Sequence, residues 1–119
     1  MILLTMIFLH IVDDYYLQGI LAQMKQKKFW KENAPDEYYQ FDYIWALFMH
    51  GFSWTFMIML PFAVSGSTGP FFYILFVVNT LLHAGIDNLK ANRFMLNLWE
   101  DQILHMVQII ATCFILGGF

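Results

Sequence analysis

The sequence predicts an all-α integral membrane protein, a four-helix bundle with a short interfacial helix on the cytoplasmic side. Three observations lead there. The 119 residues are 60% hydrophobic and only 13% charged, with a mean hydropathy of +0.56, whereas soluble domains are roughly 45–50% apolar and about 25% charged. The apolar residues gather into four runs, each near the roughly 20 residues that cross a hydrocarbon core of ~30 Å. All 6 basic residues lie in two of the loops between those runs. The chain is therefore expected to be one domain, residues 1–119, with spans at about 1–22, 42–63, 70–90 and 98–117.

The first run, MILLTMIFLHIVDDYYLQGILAQ, competes with a signal peptide. It lacks a basic start, and Asp13 and Asp14 stand where a cleavage region is small and neutral, so it is read as a retained span. The second, DYIWALFMHGFSWTFMIMLPFA, carries Pro61 near its end, which kinks or terminates the helix. SGSTGP is a tight turn, so the second and third spans form an antiparallel hairpin, with Pro70 in the first turn of the third. Asn97 with Glu100 three residues on reads as a capping box opening the fourth.

Lys25, Lys27, Lys28 and Lys31 follow the first span, and Lys90 and Arg93 lie between the third and fourth. By the positive-inside rule both basic loops are cytoplasmic and both termini face out. The Lys25–Lys31 stretch is either an ordinary span anchor or a short helix lying on anionic lipid. Tyr38, Tyr39, Tyr43 and Trp45 read as an interfacial aromatic belt. Membrane lipids are the expected partners, and no nucleic acid is expected. Cys113 is the only cysteine, which excludes an intrachain disulfide and a zinc–cysteine cluster, and it reads as a packing residue.

The apolar runs also hold residues that a bilayer penalises. His10, Asp14 and Gln18 share one helix face at i, i+4, i+8, with Asp13 alongside. His50 lies in the second span, His83 and Asp87 with Lys90 in the third, and Asp101 and His105 with Gln108 in the fourth. Counted from the cytoplasmic ends, Asp14, His50, His83 and His105 lie about eight residues in, or ~12 Å, while Gln18, Asp87 and Asp101 lie about four in, or ~6 Å. A buried Asp costs about 2.5–3.5 kcal/mol even on a lenient insertion scale, so these groups face inward and pair. Gly19, Gly51 and Gly85 beside them would allow close helix approach.

Imidazole with carboxylate at i, i+4 on facing helices is how bundles hold zinc, iron or manganese, and His10, Asp14, His50, His83, Asp101 and His105 are the candidate ligands. A structural His–Asp network and a proton or ion path use the same residues.

The segments HIVDDYYLQ, HAGIDNLK and DQILH together resemble the motifs of a bacterial and phage membrane family catalogued as domain of unknown function 3307. That family shows His-x3-Asp-x3-Gln, His-x3-Asp-x2-Lys and Asp-Gln-x2-His, matched here at His10, Asp14, Gln18, His83, Asp87, Lys90, Asp101, Gln102 and His105. The resemblance covers essentially the whole chain; the Lys- and Tyr-rich loop is particular to this sequence. It implies the bacterial inner (cytoplasmic) membrane and no particular reaction.

Three functions fit these residues. In a metal-dependent hydrolase of a lipid ester or phosphoester, Asp13 or Asp87 is the general base, and Lys90 and Gln18 meet the substrate at the mouth. In a homo-oligomeric ion or proton channel, transporter or membrane effector, the same cluster lines an axis between protomers. In a scaffold the network only fixes helix register, and the Lys/Tyr loop binds a partner.

Overall fold

The computed structural model describes all 119 residues, and every regular element in it is helical. The α-helices are α1 (Ile2–Val12), α2 (Leu21–Met24), α3 (Lys27–Asn33), α4 (Asp42–Val64), α5 (Pro70–Ala91) and α6 (Leu98–Ile115). Two segments, Glu37–Val64 and Pro70–Ala91, are long and apolar enough to cross a membrane. Helix α1 packs on α4, α4 on α5, α5 on α6, and α6 back on α1.

The first expected span departs from a straight helix of 22 residues. Helix α1 runs into a π-helical turn at Asp13–Leu17, and the Gln18 N–H donates to the Asp13 carbonyl five residues back at 3.0 Å. Gly19 then takes a left-handed φ of 55°, which side chains with a Cβ rarely adopt, and the chain turns into α2. The helical part, residues 2–17, covers only about 24 Å at ~1.5 Å per residue. Helix α2 packs against α4 rather than prolonging α1.

The other boundaries follow local chemistry. Helix α5 begins at Pro70, and α4 continues through Pro61 for three more residues to Val64. The Asn97 side chain accepts from the Glu100 N–H while Glu100 reaches back to the Asn97 N–H, closing the capping box. Asn97→Ala is expected to cost about 1 kcal/mol through the lost cap, read as a lowered thermal midpoint in detergent; an unchanged midpoint would mean that α6 is held by tertiary contacts alone.

Gly51 sets the α4–α5 spacing. A Cβ there would lie 2.8 Å from the Thr80 carbonyl oxygen and 3.4 Å from the Ala84 nitrogen. Gly85 faces open space and has no such role, and Gly19 serves the turn.

The buried set is rich in polar residues, and many large apolar side chains are exposed. Of 23 buried residues, 12 are polar or charged and 10 hydrophobic, the last being Gly51. Phe8, Phe52, Phe71 and Phe114 are instead exposed on the outward faces of α1, α4, α5 and α6. Met6, Trp54, Ile58, Met59, Phe62, Phe72, Ile109 and Cys113 form the apolar core, and the polar cluster lies towards the end that carries α2 and α3.

Candidate metal centre

The π-turn is the local device that builds the site. Asp13 and Asp14 are the first two residues of this turn, and both are turned towards the interior. Asp13 is fully buried, and the Asp14 side chain is 11% exposed. Helix α4 supplies His50, α5 supplies His83 and Asp87, and α6 supplies Asp101 and His105, the last two pairs at i, i+4.

These side chains converge within one chain. His50 Nε2 lies 3.2 Å from Asp14 Oδ1 and 3.4 Å from Asp87 Oδ2. His83 Nε2 lies 3.6 Å from Asp87 Oδ2 and 4.0 Å from Asp14 Oδ1. His105 Nε2 stands 3.4 Å from both Asp87 Oδ1 and Asp101 Oδ1. Charge-assisted N–H···O bonds close to about 2.7–2.9 Å, and the Nε2 atoms of His50, His83 and His105, with Asp14 Oδ1 and Asp101 Oδ1, are buried without a hydrogen-bond partner. Ligands about 2.1 Å from a common cation would be spaced about 3.4 Å apart in a tetrahedron. The observed separations of 3.2–4.0 Å bracket that spacing.

The remaining polar groups surround this inner set. Asp13 Oδ2 lies 3.6 Å from His50 Nδ1, and Ser53 donates to Asp13 Oδ1 at 2.6 Å. No hydrogen bond joins Asp13 Oδ2 to His50 Nδ1 at this distance. Asp13 stands behind His50, away from the cleft, and not where the expected general base would act. His10 is also outside the inner set: its Nδ1 accepts from the Trp54 indole N–H at 2.7 Å, which leaves Nε2–H to donate to Gln102 Oε1 at 3.0 Å. With both ring nitrogens engaged, His10 offers no free donor, although Nδ1 is 3.5 Å from Asp14 Oδ2. Trp54 stacks on His83 with centroids 4.2 Å apart and floors the site.

Two lysines reach the cluster. Lys25 Nζ donates to Asp87 Oδ2 at 2.7 Å, and Lys90 Nζ lies 3.3 Å from Asp101 Oδ2. Asp14, Asp87 and Asp101 border a cleft of about 50 Å³ with Gln18, Gln102 and both lysines. Beyond it opens a cleft of about 350 Å³ lined by Gln18, Ala22, Lys25, Gln26, Asp87, Lys90, Ala91 and Phe94. Gln18 and Lys90 line both clefts.

Sequence reasoning missed Lys25, Ser53 and Trp54. Ser53 and Trp54 carry a signal, at i+3 and i+4 from His50 on the same helix face. Lys25 carries none, because the reversal at Gly19 brings it back.

No protein-family model matches this chain, and neither a curated protein nor a solved structure does.

Proposed function

We propose that the chain is a four-span membrane protein and a metal-dependent hydrolase, acting on an ester or phosphoester of a membrane lipid from the cytoplasmic side. One observation carries this reading: unpartnered imidazole and carboxylate atoms from four helical segments meet beside a cleft flanked by two lysines. The outward apolar faces and buried polar centre support the membrane setting, since exposed aromatic residues on every face of a small helical protein need an apolar surrounding.

Asp14, His50 and His83 would hold a divalent zinc, iron or manganese ion, with Asp87 beside them. Such an ion supplies Lewis acidity and lowers the pKa of a bound water. Lys25 and Lys90 attract an anionic headgroup into the cleft, and Gln18 and Gln102 supply hydrogen bonds at its rim. Asp87 is the carboxylate placed to take a proton from the attacking water and return it to the leaving alcohol. Trp54 and the apolar core beneath it keep bulk water from entering from behind.

A channel reading has one observation in its favour. Asn79, Gln108 and Thr112 continue the polar line deeper, Asn79 donating to Thr112 at 2.8 Å and Gln108 to Asn79 at 3.0 Å. Within one chain that line meets the apolar core, so conduction would need an axis between copies.

The test is purified protein in detergent or vesicles, assayed for metal content and for hydrolysis of phosphatidylglycerol, phosphatidic acid and neutral diacylglycerol. Metal-dependent cleavage abolished by chelator is expected. Absence of metal together with proton flux in vesicles would replace the hydrolase with the channel. Orientation is tested separately, with Trp30→Cys and Ser67→Cys in a Cys113→Ser background: residue 67 should label from outside and residue 30 only after permeabilisation, and the reverse pattern would invert the topology.

A further inference from the structure

Metal binding by Asp14, His50 and His83, as read above, leaves a remainder. Asp14, His50 and His83 form one group of donors, and Asp87 Oδ2 lies 3.4 Å from His50 Nε2 and 3.6 Å from His83 Nε2. On the other side of the same carboxylate, His105 Nε2 lies 3.4 Å from Asp87 Oδ1 and 3.4 Å from Asp101 Oδ1. His105 Nε2 and Asp101 Oδ1 are buried without a hydrogen-bond partner, and the residues are 0% and 1% exposed. The group formed by Asp14, His50 and His83 includes neither of these residues. Buried polar atoms without partners are rare, and each needs an explanation.

We infer that the site binds two divalent cations, bridged by Asp87: one held by Asp14, His50 and His83, the other by His105 and Asp101. The inference rests on the metal-binding half of the proposed function and adds a second position to it. A bridging carboxylate offers one oxygen to each ion, and paired ions in such centres sit about 3.5–4 Å apart. Asp87 divides in this way, with Oδ2 towards His50 and His83 and Oδ1 towards His105. With both oxygens engaged Asp87 is a bridge, and the proton-transfer role assigned to it beside a single ion does not apply.

The two positions differ. The first has four donors, while the second has only His105, Asp101 and the shared Asp87. The second is therefore the open one, and Asp101 also borders the lysine-flanked cleft. Charge agrees with this. Asp13, Asp14, Asp87 and Asp101 face Lys25 and Lys90, which leaves two negative charges with neutral histidines. One divalent cation only neutralises the site; a second makes it positive, as a centre receiving an anionic phosphoester requires.

The experiment is metal stoichiometry of the full chain in detergent, loaded with Mn²⁺ and freed of excess ion, alongside its electron paramagnetic resonance spectrum. Two ions per chain and an exchange-coupled spectrum are expected. Asp101→Asn and His105→Gln should each lower the content to one ion and give an isolated-ion spectrum. One ion per wild-type chain, unchanged by either substitution, would overturn the inference and make His105 a protonated link between Asp87 and Asp101, with the hydrolase reading intact. No bound metal in the wild type would overturn both. Should either variant fail to fold, the wild-type stoichiometry and spectrum decide the matter alone.

Discussion

His83→Ala is expected to strip the site of metal and to destabilise the protein more than any other single truncation in the cluster. Its Nε2 lies near both Asp14 and Asp87, its ring stacks between Trp54 and His105, and it is wholly buried. Loss of an outer hydrogen-bond partner typically weakens a metal site about 10–100-fold, so loss of a direct donor here should exceed about 100-fold. Without the ion, the carboxylates of Asp14 and Asp87 would face each other across a dry centre, and breaking a buried charge pair costs about 3–5 kcal/mol. Gln18→Ala provides the contrast: its amide donates to the Asp14 carbonyl at the rim, so metal content should fall little. The measurement is elemental content and thermal unfolding of wild type and both variants, with and without chelator. Acid should mimic the truncation, because metal needs neutral imidazole and ionised carboxylate and is released when they take up protons. Equal stability of wild type with and without chelator would leave the cluster as a hydrogen-bonding network.

Gly51→Val is the second large effect, and it acts through backbone spacing. Even the Cβ of alanine would come 2.8 Å from the Thr80 carbonyl oxygen, which belongs to the α5 backbone and cannot swing aside. Helices α4 and α5 must then separate, which draws His50 away from His83. Overpacking of this kind costs about 1–3 kcal/mol, and valine should lie at or beyond the upper end. Metal affinity should fall with stability, although residue 51 donates nothing. Gly85→Ala, whose new methyl group meets open space, should leave both unchanged. A Gly51→Val protein with wild-type stability and metal content would show that α4 and α5 do not depend on this contact.

Much of the layout is legible in the sequence because it follows from local rules. Period and composition make the chain helical, Pro70 and the Asn97–Glu100 box mark two helix starts, and SGSTGP makes the α4–α5 hairpin. The i, i+4 spacing of His83 with Asp87, and of Asp101 with His105, places each pair on one face, and in the fold His105 Nε2 meets Asp87 Oδ1 at 3.4 Å. Three features had to wait for the folded chain. The π-turn at Asp13–Leu17 shifts the helical phase by a residue, which no 3.6-residue count anticipates. The fate of His10 depended on Trp54, whose indole N–H claims the nitrogen that spacing alone leaves free for metal. Lys25 reads as a surface anchor until the reversal at Gly19 returns it to Asp87, 62 residues away. Spacing along a helix is a local property and fixes which residues share a face; which donor meets which acceptor is settled across helices, by packing and chain reversal, and that belongs to the tertiary structure.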